Sequence, residues 1–222
     1  MTTDPGRAGP DGPRLHPAER PIFFTDAVVA IAMTLLILPL MESVSDAGED
    51  TGAGEWLAEH WSELLSFALS FVLVGVFWRS HSRLFEHVEA MTDRMMMVNF
   101  TWMFTIVWLP VVTSLSGALP TFDPETGQDD KVLIALYVGT LAANSLLLYL
   151  LEVTVRHHPQ TWNPDDPPTR SGEAVALSML ILFTLAGLLA LAVPRFNLSA
   201  LLLLALTGPL HGLILRRMKP LI

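Results

Sequence analysis

Cysteine is absent from these 222 residues, which excludes disulfides, thiolate metal sites and cysteine nucleophiles and leaves the redox compartment open. Charge is scarce. Only 16% of the chain is Asp, Glu, Lys or Arg, against about 25% in an ordinary soluble domain, and 51% is hydrophobic. That balance points to lipid rather than water as the main solvent. No secretory signal opens the sequence: its first twenty residues are rich in Pro, Gly and charge and hold no apolar core, so the N-terminus is expected to be kept. Within the apolar segments there is no His-Glu-x-x-His, no Gly-x-Ser-x-Gly and no paired acids, so an intramembrane enzyme is not expected. No internal duplication is visible either.

What the chain does have is long apolar runs. Residues 1–18 read as a disordered arm, because nothing there can form a core. Six segments follow: Phe23–Met41, Trp61–Trp78, Met95–Leu115, Val132–Leu151, Ala174–Val193 and Leu198–Leu215. Each is near the ~20 residues that cross ~30 Å of hydrocarbon. Helices are the open-chain solution, since backbone polar groups in lipid must be satisfied internally. The expected fold is therefore all-α, a polytopic membrane protein with six transmembrane helices over residues 19–222. Pro110 and Pro209 are expected to kink the third and sixth spans, and Pro194 to end the fifth.

An even number of spans puts both termini on one side. That side holds Arg7, Arg14, Arg20, Arg79, Arg83, Arg94, Arg156, Arg170, Arg216, Arg217 and Lys219, leaving only Lys131 and Arg195 opposite. The positive-inside rule makes it the cytoplasmic side. The opposite loops are acidic, with Glu42, Asp46, Glu49, Asp50, Glu55 and Glu59 in one and Asp123, Glu125, Asp129 and Asp130 in the next. Solvated loop charge accounts for them, although such loops also concentrate cations.

The first span carries an acid, Asp26, beside a hydroxyl, Thr25. An ionisable group in a membrane span is costly, and its default reading is functional. At ~100° per residue, Ala27, Ile31, Thr34, Leu38 and Met41 lie within about 40° of one line down the helix. Asp26, Ala30, Met33 and Ile37 lie on another side. If the Ile31–Thr34–Leu38 stripe lines a path, Asp26 turns into its own subunit, with Arg20 or His81 as candidate partners. Capping and pinning of the helix by Asp26 and direct contact with an ion both remain open at this stage. In the second span Ser70, Val74, Phe77 and His81 share a face, and Ser66 with Ser70 permits close helix approach. Trp78 reads as a headgroup-level aromatic, and Asn99 and Trp102 are polar handles that need partners.

The run Arg20-Pro21-Ile22-Phe23-Phe24-Thr25-Asp26 resembles the R-x-x-x-F-S-D signature of the transmembrane protein 175 family of potassium channels, with Thr25 in place of serine. Ser70-Phe71, Gly75, Trp78, His81 and Leu84-Phe85 in the second span also look like that family. So do Asp93, Asn99 and Leu109-Pro110. The resemblance covers about the first half of the chain; the last three spans match only in number and hydrophobicity. It implies a bacterial-type, single-repeat homotetramer whose first helices line the axis. No Thr-Val-Gly-Tyr-Gly stretch occurs, so a carbonyl-ring filter is not available. Carried over by distance from the signature aspartate, the hydrophobic gate falls on Ile31, with Leu35 and Leu38 beyond it. The selectivity-associated hydroxyl layer falls on Thr34, where K⁺ would pause in transit. The helical stripe includes Ile31, Thr34 and Leu38, while Leu35 sits to one side. The resemblance further implies that Arg20, Phe24, Thr25, Asp26, Trp78 and His81 form an intrasubunit network that holds the first helix.

The leading expectation is a passive potassium-permeable cation channel in the bacterial inner membrane, both termini cytoplasmic. Its partners are the bilayer, K⁺ and further copies of itself, with no cofactor, resident metal or nucleic acid. A second reading is a proton-coupled secondary transporter with Asp26 and His81 as relay groups. Against it stands the lack of an inverted repeat.

Overall fold

The computed structural model describes residues 14–48, 52–118, 122–123, 128–129 and 131–192, together with residues 210, 212–214 and 216. The expected sixth span, Leu198–Leu215, lies almost wholly outside them, as do Pro194, Pro209, Arg195, Arg217, Lys219, Glu49, Asp50, Glu125 and Asp130. Five helices among the described residues are long and apolar enough to cross a membrane. The first span is α1 (Glu19–Leu35) continued by α2 (Leu38–Asp46). A short helix α3 (Ala53–Glu59) leads into α4 (Trp61–Phe85). Then come α5 (Asp93–Ala118), α6 (Lys131–Arg156) and α7 (Arg170–Ala192). The helical membrane architecture expected from the sequence is thus present over five spans.

α6 packs along both α7 and α5, α5 along α4, and α1 chiefly against α5 and α4. The first span is the least covered, with 22% of its most apolar window buried against 50% for α6. In lipid there is little hydrophobic gain from helix contact, so packing fit and interhelical hydrogen bonds carry association. The buried face of α4 is the one the wheel gives: Ser70, Val74, Phe77 and His81 are each at most 1% exposed. Ser66 is buried as well. α5 runs unbroken through Pro110.

Two local features depart from the sequence reading. The first span is not one rod. α1 stops at Leu35 and α2 starts at Leu38, with Pro39 in its first turn. A proline ring clashes with the carbonyl four residues back, here Leu35, and has no N–H to bond to it, and at this position the helix breaks and restarts, whereas α5 absorbs Pro110 without a break. The second feature concerns residues 15–18, the end of the stretch expected to be a disordered arm. β1 (Leu15–Pro17) pairs antiparallel with β2 (Ala90–Thr92), matching Leu15 with Thr92 and His16 with Met91. Ala18 then sends its backbone N–H to the Glu89 carbonyl (3.1 Å) and is itself 1% exposed. Such a ribbon is held by backbone bonds, which composition does not advertise. On its far side Glu89 donates to the Thr161 carbonyl, so the base of α1 is tied through the α4–α5 connector to the segment between α6 and α7. A second ribbon, β3 (Phe122–Asp123) with β4 (Gln128–Asp129), lies in the α5–α6 connector.

Candidate functional site

α1 buries one ridge and leaves the rest open. Thr25, Val29, Ala32, Leu36 and Leu40, spaced by three or four residues, face the bundle. Ile31 is 59% exposed, Leu38 47% and Leu35 38%, and Thr34 is exposed beside them. The stripe drawn from the helical wheel is thus on the side of α1 that the rest of the chain leaves uncovered. Thr34 donates its hydroxyl proton back to the Ile31 carbonyl (2.7 Å), which leaves the oxygen lone pairs facing outward.

Polar links between helices hold the other side of α1. Trp78 of α4 donates its indole N–H to Asp26 Oδ1 at 2.9 Å. Deeper in, Thr25 gives its proton to the Pro21 carbonyl (2.8 Å), so its oxygen accepts from Asn99 Nδ2 (2.8 Å). The Asn99 oxygen therefore faces His81 Nε2, 2.8 Å away, and that nitrogen carries the proton. Asn99 is 3% exposed and Thr25 and His81 are fully buried, so each bond replaces one that water cannot supply. His81 Nδ1 has no partner among the described residues. The imidazole stacks on Trp102 with centroids 4.3 Å apart, and Trp102 donates to Asn144 Oδ1 (3.1 Å). Asn144 donates in turn to Thr105 Oγ1 (2.7 Å). A continuous line of contacts thus runs from α1 through α5 and α4 to α6. A separate buried group joins Ser70 to Tyr137 (2.9 Å) and Thr113 (2.8 Å).

Of the six residues expected to form the network, Thr25, Asp26, Trp78 and His81 are engaged, but in two pieces. Phe24 is half-exposed and tilts against Phe100, ring centroids 6.3 Å apart. Arg20 lies exposed and makes no hydrogen bond or ion pair among the described residues. Neither expected partner binds Asp26. His81 turns instead to Asn99, and the indole N–H of Trp78 takes the carboxylate. The sequence flagged Asn99 and Trp102 as needing partners but missed Asn144, Thr105 and Tyr137, which look like ordinary span residues until helix rotation is known. It also missed Pro39, whose signal was in plain view.

Residues 20–110 match the family model described as endosomal/lysosomal potassium channel TMEM175. The human endosomal/lysosomal proton channel TMEM175 is 30% identical over 119 residues, 52% of this chain and 23% of that protein. A potassium channel of Streptomyces collinus is 29% identical over 92 residues, 41% of this chain and 44% of that protein. The matched stretch thus spans less than half the length of either relative. A crystal structure of the potassium channel MtTMEM175, solved with a nanobody fusion, superposes with a TM-score of 0.61 at 19% identity, covering 94% of this chain and 97% of that one. At that identity the likeness is one of fold.

Proposed function

We propose, from the premise that residues 20–110 carry the membrane segment of the transmembrane protein 175 family, that this chain is a potassium-permeable cation channel. Four copies surround an axis, and the uncovered stripe of α1 faces it. The observation that carries the reading is that Ile31, Thr34 and Leu38 are left open on one side of a helix whose opposite side is fastened by Asp26–Trp78 and Thr25–Asn99–His81.

Ile31 forms the hydrophobic constriction, with Leu35 and Leu38 further along. A ring of such side chains blocks by dewetting when narrow and conducts when the helices splay. Thr34 presents hydroxyl oxygens one turn away that replace part of the hydration shell of a passing K⁺, giving a modest preference rather than a carbonyl cage. The exposed α5 stripe of Phe100, Phe104, Trp108 and Val111 lies beside α1 and offers apolar surface to a neighbouring subunit. No cofactor, resident metal or nucleic acid enters the mechanism, and the chain performs no chemistry of its own. The arginine-rich end of the bundle faces the cytoplasm of a bacterial cell, with both termini there.

Reversal potentials of the reconstituted protein under K⁺/Na⁺ and pH gradients test this. A shift toward the K⁺ equilibrium potential without co-substrate is the expected result. Current that follows the proton gradient instead would make the chain a proton channel, the name its human relative carries. Solute uptake that strictly requires that gradient would restore the transporter with Asp26 and His81 as relays.

A further inference from the structure

A cavity of about 290 Å³ opens where the ends of α4, α6 and α7 meet, at the arginine-rich end of the bundle. Ser80, Arg83, Glu86 and His87 line it from α4 and the turn after it, Gly172 from α7 and Glu152 from α6. Glu152 is 6% exposed and takes no hydrogen bond among the described residues. The nearby cation is already committed: both terminal nitrogens of Arg156 bind Glu173, itself 5% exposed. Gly172 leaves the space in which the Glu152 carboxylate sits, and a Cβ there would run into it. Glu152 has no donor among the described residues and borders an open cavity, so its donor is to be sought in an occupant.

Two features narrow the chemistry. The lining carries both signs, with Arg83 and His87 beside Glu86 and Glu152, and His87 is steadied by Asp166 at 2.9 Å. The cavity also lies at the ends of three membrane-spanning helices, the depth of phospholipid headgroups. We propose that it binds a phosphoethanolamine group, the primary ammonium donating to Glu152 and the phosphate facing Arg83. A choline headgroup has no N–H to donate, and a glycerol headgroup brings no cation. Either would leave Glu152 unpaired. The proposal stands whether or not the chain conducts.

The test uses the full chain, exchanged through nanodiscs holding equal fractions of phosphatidylethanolamine, phosphatidylcholine and phosphatidylglycerol, with retained lipid read by native mass spectrometry. Phosphatidylethanolamine is expected to be retained in preference to the other two. Glu152→Gln should lower that preference roughly tenfold, the worth of one charge-assisted hydrogen bond. Should Glu152→Gln fail to fold, Ser80→Phe, which narrows the cavity from its half-buried α4 wall, is expected to do the same. Equal retention of all three lipids would overturn the proposal and leave water as the occupant. So would a preference that both variants preserve. Thermal protection by soluble phosphoethanolamine separates the sources. Protection equal to that by the lipid makes the free group sufficient, protection by the lipid alone assigns the site to the membrane, and protection by neither sinks it.

Discussion

Trp78 and Asp26 meet at 2.9 Å, indole N–H to carboxylate, across the contact between α4 and the base of α1. A tryptophan that the sequence places at the lipid headgroups therefore serves as the fastening of the helix that carries Ile31. Replacing the indole by a phenyl ring removes the donor and keeps most of the apolar bulk. Trp78→Phe is expected to cost about 1 kcal/mol, the scale of an interhelical hydrogen bond in lipid. Asp26→Ala should lower recovery of the assembled protein by a similar route. Size-exclusion profiles and thermal melts in detergent check both, and an Asp26→Ala protein that assembles normally but changes its ion preference would mean the carboxylate serves the permeant ion instead.

Asn99 is the shared member of the deeper link, since its oxygen and its nitrogen each serve a different helix. Asn99→Leu strands the His81 N–H and the Thr25 oxygen together in a dry interior. A loss of about 2–4 kcal/mol is expected, from two unsatisfied buried groups at roughly 1–2 each. Chemical unfolding measures it. Wild-type stability in that variant would show the two groups finding other partners.

At the stripe itself, Ile31→Asn should raise resting K⁺ flux several-fold in liposomes by wetting the constriction. Thr34→Val keeps the size and removes the outward lone pairs, so the K⁺/Na⁺ reversal potential should move toward zero while flux persists. Unchanged currents in both variants would place the stripe against lipid or a neighbour rather than a passage.

Pro39→Ala supplies the N–H that Leu35 lacks. α1 and α2 are then expected to join, read as slower amide exchange across residues 36–39. Exchange as fast as in the wild type would show that something other than the missing bond breaks the span.

Glu173→Gln removes the partner of Arg156 where both are largely covered. Breaking a buried pair from one side typically costs about 3–5 kcal/mol, and the 22% exposure of the Arg156 side chain puts the expected loss at the lower end. Thermal melts against Glu173→Ala and the double variant with Arg156→Leu decide it, because the double variant should recover part of the loss.

Much of the fold was legible because lipid leaves the chain few options. Apolar runs of bilayer length mark α4 to α7, and a 100° step along α1 separates the uncovered stripe from the buried ridge. The same step found Ser70, Val74, Phe77 and His81. What the wheel does not supply is how neighbouring helices are rotated against one another. The candidates offered for Asp26 were therefore Arg20 and His81, where the structure has Trp78, and Arg20 makes no hydrogen bond or ion pair among the described residues. Asn144 and Thr105 are polar residues whose roles appear only once α5 and α6 are laid side by side. The β1–β2 ribbon escaped because three residues held by main-chain bonds leave no periodic trace. Pro39 is different: the ring's effect on Leu35 was predictable from position alone.

Because Ala18 is moored to Glu89, and Glu89 to Thr161, the lower end of α1 has little freedom to slide or swing against the rest of the bundle. The discontinuity before Pro39 lies at the other end, next to the acidic α2 segment. Displacement of the rod should therefore be greatest at its top, as in a mast stepped at its foot. A force on the loops at the α2 end would have the long lever arm, and one applied beside the arginines the short one.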